Sequence, residues 1–151
     1  MIFRQAFNQD ISGMRDVRMS VAENELSRAD RIPPDMYAHY INDIGRGWVC
    51  EIDGEIVGFS VACLQGSFIW ALFVRPGCEG RGIGKRLLKQ ATDWLFENGA
   101  AEIRLSTGIS TRADEFYQRQ GWSRGQPRDD GEVEYKLGQG PPHKRTEAAA
   151  C

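Results

Sequence analysis

Phe68-Ile-Trp-Ala-Leu-Phe-Val-Arg-Pro-Gly-Cys-Glu-Gly-Arg-Gly-Ile-Gly-Lys-Arg-Leu-Leu88 decides how the chain is read. Its first seven residues, Phe68 to Val74, are apolar without alternation, the pattern of a strand covered on both faces and therefore central in its sheet. Pro76 and Gly77 end it. Gly80, Gly82 and Gly84 then stand at alternate positions and lead into a helix, which the spacing predicts over Lys85 to Asn98 on the stripe Ile83, Leu87, Leu88, Ala91, Trp94 and Leu95, with Gly99 as its stop. Glycines there let backbone N–H groups face a ligand, and a helix N-terminus favours an anion. Arg81, Lys85 and Arg86 add positive charge to the same turn, so the unit reads as a phosphate cradle.

The spacing excludes two common phosphate loops. GxxxxGK[ST] fails because Glu79 occupies the first glycine position and Arg86 stands where a metal-binding hydroxyl belongs; GxGxxG fails at Lys85. A glycine-rich turn that only packs a helix against a sheet is the competing structural explanation.

Upstream, Ile2 to Phe7 reads as a strand, followed by a helix with Ile11, Met14, Val17 and Val21 on one face, Asn8 or Asp10 being available as its cap. Pro33-Pro34 breaks the chain before a second helical stretch, Asp35 to Ile44. Trp48 to Ile52 and Ile56 to Leu64 flank Asp53-Gly54, the signature of a tight hairpin. Downstream come a strand over Glu102 to Ser106, a helix capped by Ser110 or Thr111 and running through Gln120, and closing strands at Trp122-Ser123 and Glu132 to Leu137. The order is β-α-α-β-β-β-α-β-α-β-β, an α/β (α+β) domain over residues 1–138 with a flexible tail expected at 139–151.

Composition narrows the function. The 151 residues suit one domain, and 41% hydrophobic with 26% charged residues is an ordinary globular balance. No apolar run reaches the roughly 20 residues of a spanning helix, and Met1 to Gln5 lacks a signal-peptide layout, so a cytoplasmic protein without membrane partners is expected. A net charge of −2 argues against a nucleic-acid partner, leaving only the basic turn from Arg81 to Lys89 for such a reading. Cys50, Cys63, Cys78 and Cys151 form no CxxC pair and have no neighbouring histidine, so no metal is expected; Cys50 and Cys63 read as buried apolar residues. His39 and His143 have no nucleophile motif to serve, which disfavours a histidine-based hydrolase.

Two segments in order, Glu79-Gly-Arg-Gly-Ile-Gly-Lys-Arg-Leu-Leu88 and Ala113-Asp-Glu-Phe-Tyr-Gln-Arg-Gln-Gly-Trp122, together with the element order, resemble the GNAT superfamily of acyl-CoA-dependent N-acetyltransferases. The resemblance implies a mixed, mostly antiparallel sheet of six to seven strands with about four helices. It also implies acetyl-CoA as acyl donor, its pantetheine hydrogen-bonded to the backbone of Leu72, Phe73 and Val74 and its pyrophosphate on the amides of Gly80, Arg81, Gly82, Ile83, Gly84 and Lys85, with Ser110 reaching the pantetheine. Tyr117 becomes the general acid toward the departing thiolate. Glu79 departs from the family's usual Gln or Arg, placing a negative charge beside the pyrophosphate, and Ser110 stands where relatives often carry Asn. No acid lies at Trp70-Ala71-Leu72 to serve as base; Glu23 is the candidate, with a solvated surface acid or a water relay as the alternatives.

The acceptor implied is a small-molecule or peptide primary amine attacking directly in a ternary complex, and the acidic surplus outside the basic turn is read as available to it. A homodimer is compatible with the family. The alternative class is a non-catalytic acyl-CoA-binding or regulatory domain on the same fold.

Overall fold

The computed structural model describes residues 1–21 and 32–139. Glu23, and residues 140–151 with His143 and Cys151, lie outside them. Seven strands form one sheet in the order β1-β2-β3-β4-β5-β7-β6, where β1 is Ile2–Gln5, β2 Gly45–Ile52, β3 Glu55–Cys63, β4 Phe68–Val74, β5 Glu102–Gly108, β6 Ser123–Arg124 and β7 Glu132–Gly138. All neighbours are antiparallel except β4 and β5. The uninterrupted apolar strand β4 is fourth of seven, as its lack of alternation predicts.

Four α-helices are described: α1 Ile11–Val21, α2 Pro34–Ala38, α3 Ile83–Glu97 and α4 Arg112–Arg119. Helix α3 starts two residues before the predicted Lys85, because Gly82 at φ 80° already serves as its N-cap. The predicted helix over Asp35 to Ile44 divides: α2 gives way to a π-helical turn over His39–Asp43, and Gly45 opens β2. Asp10 does not cap α1. It lies in a short 3-10 turn, Asn8–Asp10, accepts from the Phe7 amide at 2.8 Å and is gripped by Arg4, which also pairs with Glu51. Asp53 and Gly54, at φ 53° and 78°, make the primed turn that Asp-Gly signals.

The core has two layers. Helix α3 packs on one face through Ile83, Leu87, Leu88, Ala91 and Leu95, joined by Ile103, Tyr117, Trp122 and Tyr135. On the other face Met14 and Val17 of α1 and Tyr37 and Ile41 meet Val49, Phe59, Val61 and Ala71. Cys50 and Cys63 are free and buried, and burial pushes both thiols up.

Two irregularities shape the centre of the sheet. Opposite Val61 and Ala62, β4 carries an extra residue: Val61 pairs with Ala71 and Ala62 with Ile69, leaving Trp70 as a bulge. Consecutive Trp70 and Ala71 consequently both face the α1 layer. Beyond that point β4 leaves β5, the two meeting in register only at Phe68 and Arg104.

Candidate active site

The separation of β4 from β5 creates a slot with an open strand edge. Arg75 donates to the Val57 carbonyl at 2.7 Å, so strand alternation makes Phe73–Phe59 and Ala71–Val61 the hydrogen-bonded pairs. The N–H and C=O of Leu72 and Val74 therefore point away from β3, into the slot. Of the three predicted strand residues, Leu72 and Val74 offer backbone groups there, while those of Phe73 are used by β3.

At the end of β4 the loop turns into α3 through Gly80 and Gly82, both at φ 80°, where a Cβ would be strained although it would meet nothing. From Gly80 to Lys85 the amides enter no backbone hydrogen bond among the described residues; the first helical bond is Arg86 N–H to the Gly82 carbonyl, 3.1 Å. Six successive free amides at a helix N-terminus form a concentrated anion site. Gly84 is where three elements meet: a Cβ placed on it would lie 3.6 Å from Val74 of β4 and 3.7 Å from Phe116 of α4. This junction, with the Arg112–Glu79 pair at 2.7 Å, brings α4 to the cradle.

Charge at the cradle is more sparingly supplied than the sequence suggests. Arg86 lies over the Phe3 ring at 4.4 Å, Arg75 bonds toward Ile56 and Glu55, and Lys89 pairs with Asp93 at 2.7 Å. Arg81 and Lys85 are the exposed basic side chains left in the turn. Glu79 is drawn aside: its carboxylate accepts from the Gly77 amide at 2.8 Å and pairs with Arg112 at 2.7 Å. The Gly77 amide, then its own amide and Arg112, hold its pKa below the usual carboxylate value. Arg112, at the first position of α4, was absent from the sequence-derived site; a basic residue directly after the Thr111 cap was the available signal.

The cap of α4 is Thr111, whose hydroxyl accepts from Asp114 N–H at 3.2 Å; Ser110 precedes it at φ 61°. Asp114 is buried and accepts from the Ser110 amide at 2.8 Å and from Arg124 at 2.9 and 3.0 Å, with Tyr135 as a further donor. Tyr117, on the same helix, is buried among Phe116, Trp122 and Tyr135 with ring centroids 5.2, 5.7 and 5.6 Å away. No side-chain hydrogen bond reaches its hydroxyl among the described residues, and burial pushes its pKa well up. The described residues contain no group of three or more His, Cys, Asp or Glu able to hold a metal and no helix long and apolar enough to cross a membrane.

A mixed sheet opened beside its central strand, with a free-amide turn at that strand's end, is the architecture of a known class. Residues 13–122 match the acetyltransferase (GNAT) family, and the chain belongs to it. An uncharacterized N-acetyltransferase of Methanocaldococcus jannaschii is 35% identical over 86 residues, 50% of this chain and 38% of that protein. The peptidyl-lysine N-acetyltransferase YiaC of Escherichia coli K12 is 42% identical over 60 residues, 40% of this chain and 39% of that one. The chain thus spans well under two thirds of these relatives. The PaiA N-acetyltransferase of Thermoplasma acidophilum, solved with coenzyme A, shares the fold at TM-score 0.79 and 17% identity, over 91% of this chain and 98% of that one.

Proposed function

We propose that the chain is an N-acetyltransferase that moves an acetyl group from acetyl-CoA to a primary amine by direct attack in a ternary complex. The observation that carries this reading is the open edge of β4 running straight into the free amides of Gly80 to Lys85. An extended pantetheine arm adds to such an edge like a further strand, and a pyrophosphate is the anion the cradle suits. Family membership and the acetyltransferase relatives support the same donor.

In this reading the backbone of Leu72 and Val74 holds the arm, and an N–H on the same edge faces the thioester oxygen as it becomes an oxyanion. The amine nitrogen bonds to the carbonyl carbon, the C–S bond breaks, and the Tyr117 hydroxyl gives its proton to the departing thiolate. The proton lost by the amine passes to Glu23 or to water. Ser110, just before the Thr111 cap, offers its hydroxyl to the arm in this reading. Catalysis comes mainly from holding the two reactants in line.

The test is thiol release from acetyl-CoA with a panel of amines, alongside titration of coenzyme A. Release that depends on one class of amine is the expected result; coenzyme A binding with no release for any amine would leave a binding domain in its place.

Glu79 gives a further expectation. Its charge opposes the pyrophosphate and occupies the Arg112 cation, so Glu79→Gln, which frees Arg112, should tighten coenzyme A about two- to fivefold at low salt and less at high salt. The pair is exposed, and stability should change by under about 1 kcal/mol. Unchanged or weaker binding in calorimetry would show that the Glu79–Arg112 pair instead holds the loop in its binding shape.

A further inference from the structure

The α3 face of the slot is closed where Val74, Gly84 and Phe116 converge, so an amine meeting a thioester held on β4 has the α1 face as its approach. That face is aromatic and cationic. Trp70, pushed outward by the bulge, stacks on Tyr40 at 4.3 Å and 15° and meets Tyr37 edge-on at 5.2 Å. Arg18 of α1 lies over both Trp70 and Phe73, its guanidinium carbon 5.7 and 5.1 Å from the two ring centroids. Its Nη1 is buried and has no hydrogen-bond partner among the described residues. Among the described residues no carboxylate pairs with Arg18 or with Arg15, one turn earlier on the same helix. Burial raises the pKa of the Tyr37 hydroxyl, against the charge and hydrogen bond of Arg18 and the charge of Arg15, so Tyr37 takes up part of the Arg18 guanidinium and Nη1 is the donor left over.

A guanidinium held against aromatic rings by its charge still has N–H donors to give, and its planar fork fits a carboxylate through two parallel bonds. A buried donor of a charged group left unpaired is costly, which makes a ligand the natural partner. The same cation disfavours polyamines and other purely cationic acceptors, in contrast to the acidic acceptor region expected from net charge.

Resting on the acetyltransferase reading, we propose that the accepted amine also carries a carboxylate, as a free amino acid does, and that Arg18 binds that carboxylate beside Trp70 and Phe73. Arg18 is then the residue that selects the acceptor.

The experiment compares amino acids with their carboxamides and with spermidine, on wild type, Arg18→Gln and Arg18→Lys, by two readouts. Binding is followed directly by calorimetry of the amino acids and their N-acetyl derivatives in the presence of coenzyme A, and turnover by thiol release. Wild type should bind at least one amino acid about 10- to 100-fold more tightly than its carboxamide, and Arg18→Gln should erase that preference, raising KM rather than lowering kcat, while coenzyme A affinity and thermal midpoint hold. Arg18→Lys should recover part of it. Equal binding of acid and carboxamide by wild type, a preference that survives Arg18→Gln, or spermidine as the best ligand would overturn the assignment. Because binding is read without turnover, carboxylate selection with no acetyl transfer would sink the enzyme reading and leave the Arg18 site standing.

Discussion

Tyr117→Phe should lower kcat about 10²- to 10⁴-fold, the usual range for removing a general acid, while KM for acetyl-CoA and the thermal midpoint stay close to wild type. The separation of the two effects follows from the surroundings of the ring. Phe116, Trp122 and Tyr135 hold it from three sides, and a phenylalanine keeps those contacts. No described side chain bonds to the hydroxyl, so its removal leaves no buried partner unsatisfied, which is the usual source of a stability loss. The sign of the pH dependence is also set. Burial favours the neutral phenol and raises its pKa above the ordinary value near 10, so the proton to be donated is present throughout the neutral and mildly alkaline range. A fall in wild-type rate below pH 10 would therefore arise elsewhere. Steady-state kinetics with melting curves check the substitution: a kcat within about twofold of wild type would make Tyr117 a core aromatic and move proton donation to solvent.

The parts of this molecule that were legible in sequence are those fixed by local chemistry. The apolar run Phe68 to Val74, the glycines of the turn and the α3 stripe each report their own conformation, and β4 was placed with both ends correct. The slot was invisible in the residues themselves. It depends on a bulge at Trp70 and on where β5 stops following β4, both properties of pairing between distant segments. Side-chain direction was equally out of reach: Arg86 counts toward the cradle by position, yet β1 brings Phe3 beneath it and turns it away. The Arg18 site escaped for the same reason, since α1 and β4 are about fifty residues apart in sequence and neither contains a motif. Glu79 was recognised as unusual, but its answer, Arg112, lies on another helix.

Asp114→Asn should cause the largest stability loss of any single polar substitution in the described residues, several degrees in thermal midpoint, and should raise KM for acetyl-CoA as well. Asp114 sits at the third position of α4 and serves three donors at once: the Ser110 amide, the Arg124 guanidinium through two bonds, and the Tyr135 hydroxyl. An asparagine oxygen can keep the two bonds made to one carboxylate oxygen; its NH2 then faces the two donors of the other, and Arg124 loses its counter-charge. The Ser110 amide is the link to the site, because this bond helps hold Ser110 at φ 61° directly before the cap that starts α4 beside the cradle. Arg124 first, then Tyr135 and the Ser110 amide, hold the Asp114 pKa well below its ordinary value, and Arg4 likewise lowers that of Asp10. A carboxylate whose folded pKa is depressed contributes stability that is fully present above its unfolded pKa, near 4, and is lost as pH falls toward the folded value. The gap in urea midpoint between wild type and Asp114→Asn should accordingly be widest at pH 6–7 and narrow below about pH 4, with Asp10 leaving the variant some acid sensitivity of its own. A gap that stays constant down to pH 2 would mean that packing around α4, and not the carboxylate charge, anchors the start of the helix.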